Sequence, residues 1–345
     1  MLKRKESKEY VETELPYRLF IEIYKNSRRS LKELGRSLHI SYHTISKTLK
    51  RLEDKYNIVY ALELDTNKLG FSEGRIITIK FEERPDLDYL KQRFQKDIFV
   101  QEAYLAEGDF DLLFYVVGLT SKDFMTWQWK LRSELRKYKP TLKISTVNSY
   151  TLGFFPIRNE LLSISEVISN ADKKILEVLN DNSRVKLKEL VLKTKITQMR
   201  VIYALKKFKE TGIIQRFAAL TQKPDKRIFL AYGMYVSPGE NHPKLEFDFL
   251  NELIKEDEHE ITSDYSLILD AVGTYDSFYI CSFENGEQLS RRGPDLQKNL
   301  LNEESPRIDR AVLTGILVGK WPFHLDDYDY YKMLVKKDRS RSESG

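Results

Sequence analysis

The segment Asn182-Ser183-Arg184-Val185-Lys186-Leu187-Lys188-Glu189-Leu190 decides the reading of this chain, because Asn26-Ser27-Arg28-Arg29-Ser30-Leu31-Lys32-Glu33-Leu34 stands 156 residues before it. Two further stretches recur in the same order. Gly108-Asp109-Phe110-Asp111 returns 165 residues on as Gly273-Thr274-Tyr275-Asp276. Gly153-Phe154-Phe155-Pro156-Ile157-Arg158 returns 166 residues on as Gly319-Lys320-Trp321-Pro322-Phe323-His324. Ordered matches with slowly drifting offsets are the mark of a duplication with small insertions.

Around the first match both copies carry helical period. Leu19, Phe20 and Ile23 share one face of a short helix. Ser30 and Glu33 form a capping box for a second helix with Leu31, Leu34 and Leu38 as its apolar stripe. Ser41 starts a third, which buries Ile45, Leu49 and Leu52. The later copy repeats the plan with Ile175, Leu176 and Leu179, then Leu187, Leu190 and Val191, then Thr197 capping a helix with Val201, Leu205 and Phe208 inward. Three short helices, the last two joined by a tight turn, describe a helix-turn-helix; the β-prone runs Ile58-Val59-Tyr60 and Ile213-Ile214 supply a wing or exit strand.

Downstream of each unit, strands alternate with helices. Residues 75–81, 100–106, 112–117 and 142–152 read as strands, with helical period at 87–94 and 123–138. The second copy has strands at 228–236, 261–270, 277–283 and 308–318, and helices near 245–254 and 287–301. That order is the ferredoxin-like split β-α-β arrangement. The expected class is α+β, two winged helix-turn-helix modules alternating with two ferredoxin-like (βαββαβ) domains. The layout runs as a polar segment 1–15, a winged helix 16–62 and a ferredoxin-like effector and dimerisation domain 63–160. A second winged helix 161–216, a second ferredoxin-like domain 217–325 and a basic tail 326–345 follow.

Composition narrows the function. At 345 residues and 41% hydrophobic content the chain can bury cores, which excludes global disorder. No window approaches 18 apolar residues and no apolar run follows Leu2-Lys3-Arg4-Lys5-Glu6, so neither a membrane span nor a secretory signal is expected. The single Cys281 fits a reducing, cytoplasmic setting. The histidines, His39, His43, His242, His259 and His324, are too scattered for a metal site, and no cofactor is expected. The small net charge of +5 is segregated. Residues 17–60 hold 10 Lys and Arg against 4 Asp and Glu, and residues 171–216 hold 12 against 5. Two basic stretches in an otherwise acidic chain point to a polyanion partner at two places.

These residues resemble the Lrp/AsnC, or feast-famine, transcriptional regulators. The matching pattern is Asn182-Ser183-Arg184, Leu187 to Leu190, Thr197, Val201, Leu205, Phe208, Gly212-Ile213-Ile214 and Gly273-x-x-Asp276. The first copy carries it as Asn26-Ser27-Arg28, Leu31 to Leu34, Ser41, Ile45, Leu49, Leu52, Ile58-Val59 and Gly108-x-x-Asp111, with Tyr56-Asn57 in place of the turn glycine. The resemblance implies a winged helix-turn-helix joined to a ferredoxin-like domain that pairs sheet to sheet and can bind amino acids. Because such proteins usually have one copy, the tandem chain is expected to form the pseudo-dimer internally or to dimerise with a second chain.

Double-stranded DNA is the expected partner. With the apolar face inward, Tyr42, His43 and Ser46 are placed to reach base edges, and Lys47, Lys50 and Arg51 to reach phosphates. The counterparts in the second copy are Gln198, Arg200, Lys206 and Lys207, beside Met199 and Tyr203, which are unusual for a groove-facing surface and have packing against another module as the alternative reading. Arg28, Arg29, Arg184 and Lys186 are phosphate-contact candidates. Gly108, Asp111, Gly273 and Asp276 mark the neighbourhood where the resembled family binds its effector, against plain turn chemistry. Trp127-Gln128-Trp129 reads as packing. The leading expectation is a DNA-binding regulator that is not an enzyme. The alternatives are an architectural DNA binder and, from a likeness to siroheme decarboxylases built of paired Lrp-like units, a tetrapyrrole enzyme.

Overall fold

The computed structural model describes residues 14–118, 120–221, 228–235, 265–283, 285–291 and 308–319. The helix expected at 245–254, most of that at 287–301, His242, His259, Trp321, His324 and the basic tail lie outside them. The described residues form two compact units, each drawn from both copies: 14–71 with 156–221, and 72–155 with 228–235, 265–283, 285–291 and 308–319.

The first unit holds two winged helices. Helices α1 (Glu14–Lys25), α2 (Leu31–Leu38) and α3 (Tyr42–Tyr56) lead into strand β1 (Ile58–Leu64). Leu15, Leu19, Ile23, Leu34, Ile45, Leu49 and Leu52 interlock as their core, joined by Ala219 of the second copy. Ser30 accepts from the Glu33 N–H while Glu33 accepts from the Ser30 N–H, so the capping box forms as its residue types dictate. Asn57 ends α3 in the left-handed conformation (φ 43°) that an amide side chain tolerates, where the second copy uses Gly212 (φ 68°). The second winged helix comprises α7 (Asn170–Asp181), α8 (Leu187–Thr194), α9 (Gln198–Glu210) and β6 (Ile214–Thr221). Thr197 occupies the N-cap of α9 without a side-chain cap bond, so the capping role expected of it is not filled. A short helix, α6 (Asn159–Ile164), has no strong period and escaped the sequence reading. It is anchored by Asn180, which donates to the Ile157 carbonyl and to Asn159 Oδ1.

β1 and β6 pair antiparallel from Ile58↔Thr221 to Glu63↔Arg216, so the wings of the two copies make one ribbon. At its flank Ser27 and Ser183 meet hydroxyl to hydroxyl at 2.8 Å, both fully buried. Ser27 N–H donates to the Phe217 carbonyl and Ser183 N–H to the Tyr60 carbonyl. These reciprocal bonds describe a local twofold relation within one chain.

The second unit corrects the expectation of two separate ferredoxin-like domains. Strands β2 (Arg75–Phe81), β3 (Val100–Gly108), β4 (Leu112–Val116), β5 (Pro140–Leu152), β7 (Ile228–Met234), β8 (Tyr265–Gly273), β9 (Ser277–Phe283) and β10 (Ile308–Val318) close into one barrel, in the order β10-β3-β4-β2-β5-β8-β9-β7. Each half keeps the strand order 2-3-1-4 of a ferredoxin-like sheet. The halves fuse because the last strand of each pairs with the second strand of the other, β5 with β8 and β10 with β3. Closure removes both pairs of open edges. In the first half, α4 (Leu87–Gln95) and α5 (Ser121–Glu134) cover one sheet face through Leu90, Phe94, Phe124, Trp127 and Leu131. Trp127 is in this core and donates to Asp97 at 2.7 Å, whereas Trp129, two positions on, is 70% exposed. The packing reading therefore holds for one tryptophan of the two.

Candidate nucleic-acid interface

Helix α3 is presented by its cap. Ser41, extended at φ −64° and ψ 146°, accepts from the Thr44 N–H, and Ile45, Thr48, Leu49 and Leu52 turn inward. Helical spacing then sends Tyr42, His43, Lys47, Lys50 and Arg51 outward, with Ser46 half-buried between them. His43, Ser46, Lys47, Lys50, Arg51, Asp54 and Lys55 line one open side of α3. Four cations share it with one carboxylate, and no ion pair to Lys47 or Lys50 is formed among the described residues. Uncommitted ammonium groups on a helix are suited to phosphate oxygens, and the residues nearest the N-terminus of a recognition helix are those that reach base edges.

The second winged helix differs. Asp172, fully buried in the first turn of α7, accepts from Arg200 at 2.8 Å and from Lys207 at 3.2 Å. Both cations are thereby turned onto the protein. Lys206 pairs with Glu210 at 3.7 Å; Gln198 and Lys186 are exposed. The large exposed side chains around α9 are Leu192, Met199, Ile202 and Tyr203.

The arginines of the repeated motif are half-buried and engaged by the protein itself. Arg28 donates to the Ser183 carbonyl at 2.8 Å and the Val185 carbonyl at 3.0 Å and stacks over Phe217; burial lowers its pKa from the ordinary arginine value. Arg184 lies over the Tyr60 ring in the matching position of the other copy. Arg29 is ion-paired with Glu22. The motif that reveals the duplication thus forms the seam between its copies. A signal was available: a motif kept in both copies while the outward faces diverge is more apt to serve what the copies share.

The Gly-x-x-Asp hairpins are also structural. Asp111 accepts from the Phe81 N–H at 2.8 Å, Lys80 at 3.0 Å and Arg84 at 2.9 Å, and is 5% exposed. A side chain at Gly108 (φ 147°) would lie 2.3 Å from the Arg310 carbonyl oxygen, and one at Gly273 (φ 143°) 2.7 Å from that of Ile144. Each glycine lets the other half's last strand pass against its hairpin. Asp276 is half-buried, its N–H bonded to the Met234 carbonyl. The two glycines fall at the two barrel-closing seams, whereas Asp111 and Asp276 bond within their own halves.

One more cluster crosses these seams. Lys143 of β5 and Asp309 of β10, equivalent positions of the two halves, form an ion pair. Tyr235 and Tyr275 donate to the same carboxylate at 2.7 and 2.8 Å, and Thr78 bonds the Tyr275 hydroxyl at 2.8 Å. Burial opposes the charge on Asp309, but the hydrogen bonds from Lys143, Tyr235 and Tyr275 outweigh it and hold its pKa below the ordinary carboxylate value. Among the described residues no group of His, Cys, Asp and Glu could hold a metal, and no helix is long and apolar enough to cross a membrane.

Residues 168–215 match the family of winged helix-turn-helix DNA-binding domains. No curated protein sequence matches the chain. Among solved structures, siroheme decarboxylase NirDL matches with a TM-score of 0.55 at 13% identity, covering 94% of this chain and 99% of that one. The same enzyme in complex with an iron-uroporphyrin III analogue matches at 0.53 and 13%, covering 93% and 99%. LrpC of B. subtilis matches at 14% identity with a TM-score of 0.31, covering 43% of this chain and 95% of that one. The end-to-end match to an enzyme overturns the expectation that the chain is not one; at this identity the likeness is one of fold. The resemblance read from the sequence stands in its winged helix-turn-helix, and the chain shares its fold over nearly its whole length with siroheme decarboxylase NirDL.

Proposed function

We propose that this protein is a transcriptional regulator that binds double-stranded DNA through α3 of its first winged helix. The observation that carries the reading is the exposed side of α3, along which His43, Ser46, Lys47, Lys50 and Arg51 lie together without neutralising partners for the two lysines among the described residues. Phosphates would neutralise the three long cations, and Tyr42, His43 and Ser46 would discriminate bases. The pseudo-twofold seams support an intrachain pseudo-dimer in place of the two-chain assembly. An amino-acid effector is not favoured at Asp111, which is engaged by three donors. The test is fluorescence anisotropy with duplex DNA from upstream of the protein's own gene against a scrambled duplex near physiological salt. A specific regulator is expected to prefer its site by at least about 10³-fold. Equal binding to both would favour the architectural reading, and no binding to either would sink both.

A second reading rests on a different observation, the end-to-end fold match to siroheme decarboxylase NirDL. In it the barrel unit would serve tetrapyrrole chemistry, in which cationic groups bind carboxylates and a proton donor protonates the carbon left by carbon dioxide. Titration with siroheme under reducing conditions distinguishes the two. A shifted Soret band with product formation would establish the enzyme, and an unchanged spectrum would remove it.

A further inference from the structure

Trp127-Gln128-Trp129 stands out in the sequence, and the fold buries only its first tryptophan. Helix α5 turns Phe124, Trp127 and Leu131 onto the sheet. Its opposite side carries Lys122, Met125, Trp129 and Arg132, spaced three, four and three residues apart and therefore one above another. Arg136, in the turn that follows the helix, continues the row. All five are exposed, Met125 by 56% and Trp129 by 70%. A lone apolar side chain at a surface needs no explanation, but an indole and a thioether set together within a row of cations form a patch.

The charge of the row decides what fits it. Lys122, Arg132 and Arg136 form no ion pair among the described residues. The two carboxylates of α5 lie off the row: Asp123 accepts from the Thr120 hydroxyl at 2.6 Å, and Glu134 is held by Arg93 of α4. Arg132 and Arg136 gain from the C-terminal end of the helix dipole, but Lys122 stands in the first turn, where the dipole disfavours a cation. The row is thus positive from end to end around an apolar centre. A second copy of it would set cation against cation in either orientation, so a second copy is not the occupant. Duplex phosphates would satisfy the cations and leave the indole and thioether without an apolar partner. A lipid surface calls for a broad apolar side, and that side of α5 is taken up by the sheet. Tryptophan, methionine and arginine are the residue types enriched where proteins meet.

We propose that this row of α5 docks an acidic segment of another protein, whose carboxylates pair with Lys122, Arg132 and Arg136 while an apolar side chain lies against Trp129 and Met125. Trp129 is the anchor, and the cations above and below it set the register. The 14 residues of α5 make a row about 20 Å long. The occupant is therefore a short stretch of chain, and its dissociation constant is expected in the micromolar range. The site lies wholly on the barrel unit and does not depend on the DNA-binding reading.

The test is selection on the full chain from a displayed random-peptide library that has first been depleted on the variant Trp129→Ala combined with Arg132→Glu. Both side chains are exposed, and circular dichroism verifies that the variant is folded. Depletion removes peptides held elsewhere, those on the basic side of α3 included. The surviving peptides are expected to combine Asp or Glu with a large apolar residue and to bind the wild type at micromolar concentration in fluorescence anisotropy. They should bind Trp129→Ala about 30-fold more weakly. Lys122→Glu should weaken them too, and by more at low salt than at high. No enriched peptide, enriched peptides without acidic residues, or undiminished binding to either single variant overturns the proposal. A single-stranded oligonucleotide or an anionic phospholipid vesicle that binds the wild type and not Trp129→Ala, where no peptide does, would overturn it in favour of that partner.

Discussion

Replacing Asp172 by alanine probes how the second winged helix holds its third helix in place. The carboxylate is fully buried and accepts one hydrogen bond from Arg200 and one from Lys207. Charge-assisted bonds of this kind contribute about 1.5–3 kcal/mol each when desolvated. The two cationic side chains are 34% and 37% exposed, so after the substitution they turn to water and recover much of that loss. The net cost is therefore well below the 3–5 kcal/mol typical of stranding a fully buried charge, and about 2 kcal/mol is expected. Native-state hydrogen exchange reads it locally. Amides of α7 and α9 that exchange by local opening should do so about 30-fold faster, since each 1.4 kcal/mol is a factor of ten. Amides in the barrel strands should be unchanged. Exchange in α9 that does not move, or that accelerates equally in the barrel, would refute the role assigned to Asp172.

Three further outcomes are expected. Changing Lys47, Lys50 and Arg51 together to alanine should lower the slope of log affinity against log salt by about 2.7, at about 0.9 per phosphate contact, with circular dichroism unchanged; an unaltered slope removes α3 from the backbone. Gly108→Val should destabilise the barrel by on the order of 3 kcal/mol in urea unfolding, because the side chain would collide with the Arg310 carbonyl at a positive φ; wild-type stability would disprove the close approach. Asp309 has a folded pKa below its unfolded value of about 3.9, so its contribution is present above that value and is lost as pH falls through the lower folded value. Acid unfolding of Asp309→Asn should therefore show a flatter dependence on pH below about 4 than the wild type, and identical curves would contradict it.

The elements most legible in the sequence were those whose information is local. The helices of both winged units follow from apolar spacing and, at Ser30 and Ser41, from cap chemistry that the structure reproduces bond for bond. The strands were also visible, but the barrel was not. Whether β5 ends as the edge of its own sheet or pairs with β8 is decided by contacts more than 120 residues apart, and Thr146↔Val272 leaves no trace in the period of either strand. The site was half legible for a related reason. Outward position on a helix predicts exposure, which is why the α3 residues fall where expected, yet exposure does not reveal a partner waiting across the fold. Arg200 and Lys207 have the spacing of phosphate contacts and are claimed by an aspartate 28 and 35 residues earlier. Arg28 and Arg184 illustrate the same ambiguity, since a guanidinium that suits a phosphate also suits a pair of carbonyls and an aromatic ring.

The ion pair between Lys143 and Asp309 joins equivalent positions of two copies that face each other. In an assembly of two identical chains, the residue at that position would face its own duplicate: two lysines or two aspartates, never one of each. Covalent fusion lifts that constraint. Each substitution in this chain falls in one half only, so that half can evolve a charge, an apolar face or a lost function while the other keeps the original. The association of the halves also no longer depends on how much protein the cell makes, because the tether fixes their mutual concentration. A gene encoding a symmetric dimer inherits every change twice; this one can inherit it on a single side.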